Sequence, residues 1–250
     1  MSELRGRDGC PWDKEQTHET LRQYLLEEAY EVLEAIDCRQ YDNLEEELGD
    51  LLLQVIFHAQ IAKEDGHFTI DDVIHGIITK LIRRHPHVFG DVNIKTADQQ
   101  TIHWEQVKKK EGKKSAIDGV PKQLSALLRA HRIQSKAATV GFDWEKTEQV
   151  WNKVEEELCE LKEACQSDDF SEIETEFGDL LFALVNLSRF IKVNPEDSLR
   201  GTIEKFSRRF YQVEQEITRR NKRMEDSTLE EMDAIWEQVK KKEKSSPNNG

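Results

Sequence analysis

The chain has 250 residues, with 36 Lys or Arg against 50 Asp or Glu and a formal net charge of −14. Such a surface repels nucleic-acid backbones and lacks the basic footprint of an extended DNA or RNA binder, but a divalent ion and a few cationic side chains can still reverse the local sign for a small polyphosphate. Hydrophobic residues at 37% and charged residues at 34%, with only 12 Gly and 5 Pro, exclude a disordered chain and favour an all-α fold.

Residues 1–19 carry Gly6, Gly9 and Pro11 before Trp12-Asp13-Lys14-Glu15, which reads as a loop holding an aromatic ahead of the first long helix. From Leu21 to Asp37, apolar residues at 25, 26, 29, 32, 33 and 36 form one helical stripe, with Glu28 on its edge. Cys38–Asn43 is a polar connection. A second helix is expected over Leu44–Lys63, with Leu48, Leu51, Leu52, Leu53, Val55, Ile56, Phe57 and Ile61 pointing in nearly every direction, so burial on most sides is expected. After Gly66 a helix over Ile70–Arg84 is stopped by Pro86 in Arg83-Arg84-His85-Pro86-His87, whose histidines read as structural. Residues 90–100 read as a loop, and Trp104-Glu105-Gln106-Val107-Lys108-Lys109-Lys110-Glu111 as a short helix that recurs identically at Trp236–Glu243.

The second half begins with a helix over Leu124–Ala138, then the turn Gly141-Phe142-Asp143-Trp144, then helices over Thr147–Cys165 and Phe170–Ile191. The first half starts almost at the matching turn, so its opening helix is missing. The basic, Gly-containing stretch Lys108–Pro121 is the expected linker, giving units 1–118 and 119–250, and residues 244–250 read as a frayed tail.

The organising pattern is acidic. Glu27-Glu28-x-x-Glu31, fifteen residues and Glu47-x-x-Asp50 recur, every acid 129 positions later, as Glu156-Glu157-x-x-Glu160, fifteen residues and Glu176-x-x-Asp179. On a helix, i and i+3 share a face, so each short-linked helix pair can converge four carboxylates: Glu28, Glu31, Glu47 and Asp50, or Glu157, Glu160, Glu176 and Asp179. Most of the acids are ordinary solvated groups, but these sit partly on the most apolar helices, where unpaired charge is costly. Carboxylate oxygens alone, without His or Cys, favour Mg²⁺, with Mn²⁺ as a substitute, over iron or zinc. Lys153 stands one turn before Glu157, and Lys205, Arg208 and Arg209 share one helical face, suited to solvation, helix salt bridges or phosphate. Asn186 is a potential ligand contact where the first repeat, at the same register, has Phe57. Trp236 suits either packing or base stacking.

These motifs, with Gly9-Cys10-Pro11-Trp12-Asp13, Glu47-Leu48-Gly49-Asp50, Arg83-Arg84-His85-Pro86-His87-Val88-Phe89 and Val140-Gly141-Phe142-Asp143-Trp144, resemble a tandem MazG-type nucleoside triphosphate pyrophosphohydrolase over nearly the whole chain. The acidic motif alone resembles the wider all-α NTP pyrophosphatase superfamily. The resemblance implies Mg²⁺-dependent conversion of a broad range of (d)NTPs, ATP among them, to (d)NMP and pyrophosphate, and a helical bundle completed in a homodimer. It also implies a working second repeat, with Glu157, Glu160, Glu176 and Asp179 as metal ligands and Lys153, Lys205–Arg209 and Trp236 as nucleotide contacts. Glu156 or Glu157 is expected to take the proton from the attacking water. The four acids of the first repeat form a second expected site, put in doubt by the missing helix.

A helical protein that senses nucleotide or metal without turnover is the alternative. Cys10, Cys38, Cys159 and Cys165 have no C-x-x-C spacing, the N-terminus has no apolar signal core, and no segment suits a membrane span, so the expected location is the cytoplasm.

Overall fold

A computed structural model describes residues 1–92, 94–96, 99–100, 103–104, 115–167 and 169–245. All regular structure among them is helical, in two compact units, Met1–Trp104 and Glu105–Gly250. The expected helix after Trp104 and residues 108–114 of the expected linker lie outside the described residues. So does the tail beyond residue 245.

In the first unit, α1 (Pro11–Glu15) and α2 (Arg22–Asp37) are followed by α3 (Tyr41–Glu64), α4 (Ile70–Arg84) and α5 (Pro86–Phe89). Two short helices, α1 and α5, form where a loop and a turn are expected, each with proline at its start, where the missing N–H costs nothing. The connection before α3 is three residues shorter than expected, because Arg39 takes a positive φ of 55° and turns the chain at once. The α4 helix opens on a reciprocal cap, Thr69 Oγ1 accepting from the Asp72 amide while Asp72 accepts from the Thr69 amide.

The α2–α3 hairpin corrects two burial expectations. Its inner face takes Glu28, Val32 and Ala35, leaving Leu26 and Ile36 of the expected stripe 60% and 51% exposed. In α3, Phe57, Ala59 and Ile61 are buried, but Leu48 and Leu52 are 50% and 57% exposed, so one chain does not cover this helix on most sides. In this unit α2 and α4 cover only part of so wide an apolar surface.

The second unit contains α6 (Ala126–Ala138), α7 (Thr147–Ser167), α8 (Phe170–Phe190), α9 (Pro195–Arg219) and α10 (Leu229–Ser245). The α7–α8 hairpin repeats α2–α3, with a core of Val150, Val154, Ala183 and Leu187, and α6 lies against α8. Asp169 caps α8 and Asn194 caps α9, each side chain accepting from two backbone amides. The α9–α10 pair closes on Val213, Ile217, Ile235 and Val239. No helix among the described residues is long and apolar enough to cross a membrane.

Candidate functional site

The second unit joins an acid cluster to a cavity. The carboxylates of Glu157, Glu160 and Glu176 bring oxygens within 4.8 Å of one another, Glu157 from the buried side of α7 and Glu176 from the facing side of α8. At that separation each like-charged pair repels by on the order of 3 kcal/mol at an effective dielectric near 20. Lys153, one turn earlier on α7, bonds both Glu156 and Glu157 at 2.8 Å. These two carboxylates hold its ammonium pKa well above the ordinary lysine range, so it stays cationic. Burial, then the nearby Glu157 charge, pushes the Glu160 carboxyl up.

One cation for so many acids leaves the cluster short of positive charge. Its donors are all carboxylate oxygens, which fit a hard divalent ion. Asp179, the fourth expected ligand, lies outside the tight group and lines the cavity beside it.

That cavity, about 480 Å³, is bounded by α6, the turn after it, α7 and α8. Ile133, Ala137, Phe182 and Ala183 make its apolar wall, Phe142 and Trp144 its aromatic rim, and Lys153, Glu157 and Asp179 its acidic end. The turn is possible because Gly141 adopts φ 87°, letting the Gly141 and Phe142 amides return to the Ala138 and Ala137 carbonyls. A second tie fixes its far side. Arg189 donates to both Asp143 oxygens, at 2.7 and 3.3 Å, and to Asn186 Oδ1 at 2.5 Å. Asn186 thus lines the cavity wall, whereas Arg189 and Gln134 of α6 were not singled out by spacing and Asp143 was named only within its turn.

The first unit retains the acids and loses the cavity residues. Glu28, Glu47 and Asp50 bring oxygens within 4.8 Å, while Glu31 adds its charge from an exposed position. Burial, followed by the neighbouring Asp50 and Glu31 charges, raises the Glu28 pKa. At the register of Lys153, Asn186 and Arg189 stand Tyr24, Phe57 and Gln60. Trp12 packs edge-on against Tyr24 and Phe57, with centroids 5.7 and 6.4 Å away, and the Arg5 guanidinium covers the Phe57 ring at 5.6 Å. Arg5 also bonds the Asp13 and Gln16 carbonyls and the Glu64 carboxylate, tying residues 1–9 down where the second unit has a helix. Aromatic packing takes the place of a ligand surface.

The remaining expected contacts form a separate group within the second unit. Arg208 and Arg209 bond Glu243 at 3.1 and 2.7 Å, and Trp236 packs on Phe206 with Arg209 5.8 Å from its ring. Lys205 is exposed, and none of these four lines the cavity. In the first unit His85 bonds the Leu81 carbonyl and meets Trp104 edge-on, a helix-end role.

The raised carboxyl pKa values have a thermodynamic sign. For Glu28, Glu47 and Glu160 the folded value lies above the ordinary 4.5, so their protonated forms favour the fold below 4.5 and that contribution is lost as pH rises through the folded value. Mg²⁺ is therefore expected to raise the melting temperature more at pH 7.5 than at pH 5, because protons compete for the same oxygens. Scanning fluorimetry with and without the ion checks this, and an equal shift at both values goes against ion binding at these clusters.

Comparison with known proteins gives matches over both repeats. The model of the MazG nucleotide pyrophosphohydrolase domain matches residues 16–89 and again 145–213. A Thermotoga maritima protein named nucleoside triphosphate pyrophosphohydrolase/pyrophosphatase MazG is 51% identical over 96% of this chain and 92% of its own. The Escherichia coli K12 nucleoside triphosphate pyrophosphohydrolase is 46% identical over 97% of this chain and 95% of its own. A Bacillus subtilis protein, YabN, described as uncharacterized, is 49% identical over 98% of this chain but only 51% of its own length.

Proposed function

The chain belongs to the MazG nucleotide pyrophosphohydrolase domain family, and from that premise we propose that it hydrolyses nucleoside triphosphates to nucleoside monophosphate and pyrophosphate in its second repeat. The observation that carries this reading is the shared wall: Lys153 and Glu157 belong at once to the acid cluster and to a cavity large enough for a nucleoside. A base and sugar in the cavity would direct the phosphates toward the acids. Bound Mg²⁺, or Mn²⁺ in its place, would neutralise the triphosphate and make a bound water more acidic.

The chain's own groups do the rest. Glu157, Glu160 and Glu176 would hold the ion, with Asp179 at the cavity end. The ammonium of Lys153, cationic throughout the working pH range, keeps Glu156 and Glu157 in place and faces incoming phosphate oxygens. Water oxygen forms a bond to phosphorus as the phosphoanhydride bond breaks, and the water proton passes to Glu156 or Glu157. Incubation with Mg²⁺ and a panel of (d)NTPs tests the reading. Pyrophosphate is expected from many of them, orthophosphate alone would overturn the reaction type, and no turnover would leave the nucleotide-sensing alternative.

We also propose a homodimer in the cytoplasm, with the first repeat serving assembly. On α9, Leu199, Ile203 and Phe206 are 49%, 52% and 54% exposed, too much apolar surface for one helix to leave in water. Four mid-helix glycines, Gly49, Gly76, Gly178 and Gly201, would each meet nothing within 4 Å if given a Cβ. Helical glycine costs about 1 kcal/mol relative to alanine, so one retained in open space suits a surface that a second chain approaches closely. Such a partner would also allow the basic face of Lys205, Arg208 and Arg209, which does not reach the cavity of its own chain, to serve a phosphate. Gly201→Ala is expected to weaken the dimer about tenfold or more while leaving helicity intact. Analytical ultracentrifugation measures this, and a more stable protein with unchanged association would remove Gly201 from the interface.

A further inference from the structure

The cavity of the second unit runs along one face of α8. Asp179, Phe182, Ala183, Asn186 and Arg189 all line it, so its wall extends nearly three turns, about 15 Å at 1.5 Å per residue. Asp179 stands at one end, one turn beyond Glu176 of the acid cluster. At the other end Arg189 grips Asp143 in the turn that carries Phe142 and Trp144. A nucleotide whose phosphates lie at the acids therefore has its base at this turn.

Trp144 borders the cavity and is 44% exposed, and among the described residues neither it nor Phe142 packs on another aromatic ring. An exposed indole beside an apolar wall offers a free face for stacking. Most of the bonds that shape the turn are local. The Gly141 and Phe142 amides return to the end of α6, and the Glu145 and Lys146 amides donate to Gln149 Oε1 at 3.1 and 2.9 Å. Asp143 makes the tie to α8, accepting from Arg189 at 2.7 and 3.3 Å. Its Oδ1 also accepts from the Trp144 amide at 3.0 Å, so one carboxylate couples the tryptophan to α8.

The first repeat shows where the tryptophan goes without that clamp. At the register of Arg189 stands Gln60, whose amide donates to Glu64 on its own helix. Trp12, in the matching turn, lies edge-on against Tyr24 and Phe57, which occupy the registers of Lys153 and Asn186. It thus covers the place where the second repeat has its cavity.

We infer that Trp144 is the platform on which the nucleobase stacks, and that Asp143 and Arg189 are positioning residues that hold it at the cavity mouth and keep it from folding onto the α7–α8 hairpin as Trp12 folds onto α2–α3. This rests on the proposed nucleotide site and places the base within it. Every base has a π-face, so a stacking platform accepts purines and pyrimidines alike and holds them without reading their edges.

The test uses ligands that bind without turnover. Calorimetry in Mg²⁺ compares AMP with ribose 5′-phosphate, which lacks the base and is measured by displacement of AMP. Wild-type protein is expected to bind AMP about tenfold or more tighter. Trp144→Ala and Asp143→Ala should each shrink that ratio several-fold by weakening AMP alone, leaving the ribose 5′-phosphate Kd and the thermal shift produced by Mg²⁺ as they were. In the double variant the loss should equal that of Trp144→Ala, because Asp143 acts through the tryptophan.

A wild-type ratio near one, or a ratio that persists in Trp144→Ala, overturns the platform. A ratio that persists in Asp143→Ala overturns the positioning role, and so does an equal loss for both ligands or a lost Mg²⁺ response, either of which marks a general structural effect. Asp143 is exposed, and should its alanine variant fail to fold, Arg189→Met breaks the same clamp and is read in the same way. Pyrophosphate assays on the wild-type protein separate this outcome from the parent reading: turnover with no base contribution defeats only the platform, whereas a base contribution with no turnover defeats only the hydrolase.

Discussion

Glu176→Gln is expected to abolish nucleoside triphosphate hydrolysis, by about 100-fold or more, while Glu47→Gln leaves most of it. The two residues occupy the same register of the repeat, and both belong to acid groups whose oxygens lie within 4.8 Å. Chemical likeness therefore predicts equal effects. What separates them is the surroundings: the Glu176 cluster shares Lys153 and Glu157 with a cavity, whereas the Glu47 cluster has Tyr24 at the lysine position and an aromatic pack beside it. Glutamine keeps the size of the side chain and one oxygen but removes the charge that holds a hard cation. Pyrophosphate release at saturating nucleotide and Mg²⁺ measures both. Equal losses would sink the assignment of the second repeat as the working site.

Much of this was legible because helices make sequence spacing into geometry. Glu28 with Glu47 and Glu157 with Glu176 come from facing helices joined by a short connection, so their approach follows from register, whereas Glu31 and Asp179 stand outside the tight groups and the two trios differ. Asn186 against Phe57 was visible for the same reason. The clamp was not, since Arg189 and Asp143 are 46 residues apart and one of them sits in a turn whose path depends on the positive φ of Gly141. Nor was the isolation of the Gln134 acceptor, which depends on which carbonyl its amide finds across the α6–α8 contact. Leu48 and Leu52 show the opposite limit. Their apolar character predicts burial, yet they are 50% and 57% exposed, because helical periodicity does not state how much of a helix its neighbours cover. The basic triad illustrates the same point, because helical spacing placed Lys205, Arg208 and Arg209 on one face without revealing that Glu243 answers the two arginines.

Asn186→Phe should impose the first repeat's solution on the second and close the site without touching an acidic residue. In the first repeat Phe57 is 3% exposed and packs with Trp12 and Tyr24, so phenylalanine at this register is fully compatible with the hairpin. At position 186 the ring would fill space next to Phe182 and Ala183, displace the Arg189 contact and occupy volume needed by the nucleoside. Burying the ring in that apolar wall would offset the lost Arg189 hydrogen bond, roughly 1.5–3 kcal/mol on each side, so stability should change little. Hydrolysis should fall at least as far as in Glu176→Gln, but for a different reason. Mg²⁺ should still raise the melting temperature of Asn186→Phe, because Glu157, Glu160 and Glu176 remain, whereas Glu176→Gln should weaken that response at the second cluster. If Asn186→Phe turns over nucleotide at the normal rate, the cavity is not where the nucleoside sits. If it loses both turnover and the ion response, the cluster and the cavity depend on each other more closely than their shared wall of Lys153 and Glu157 requires.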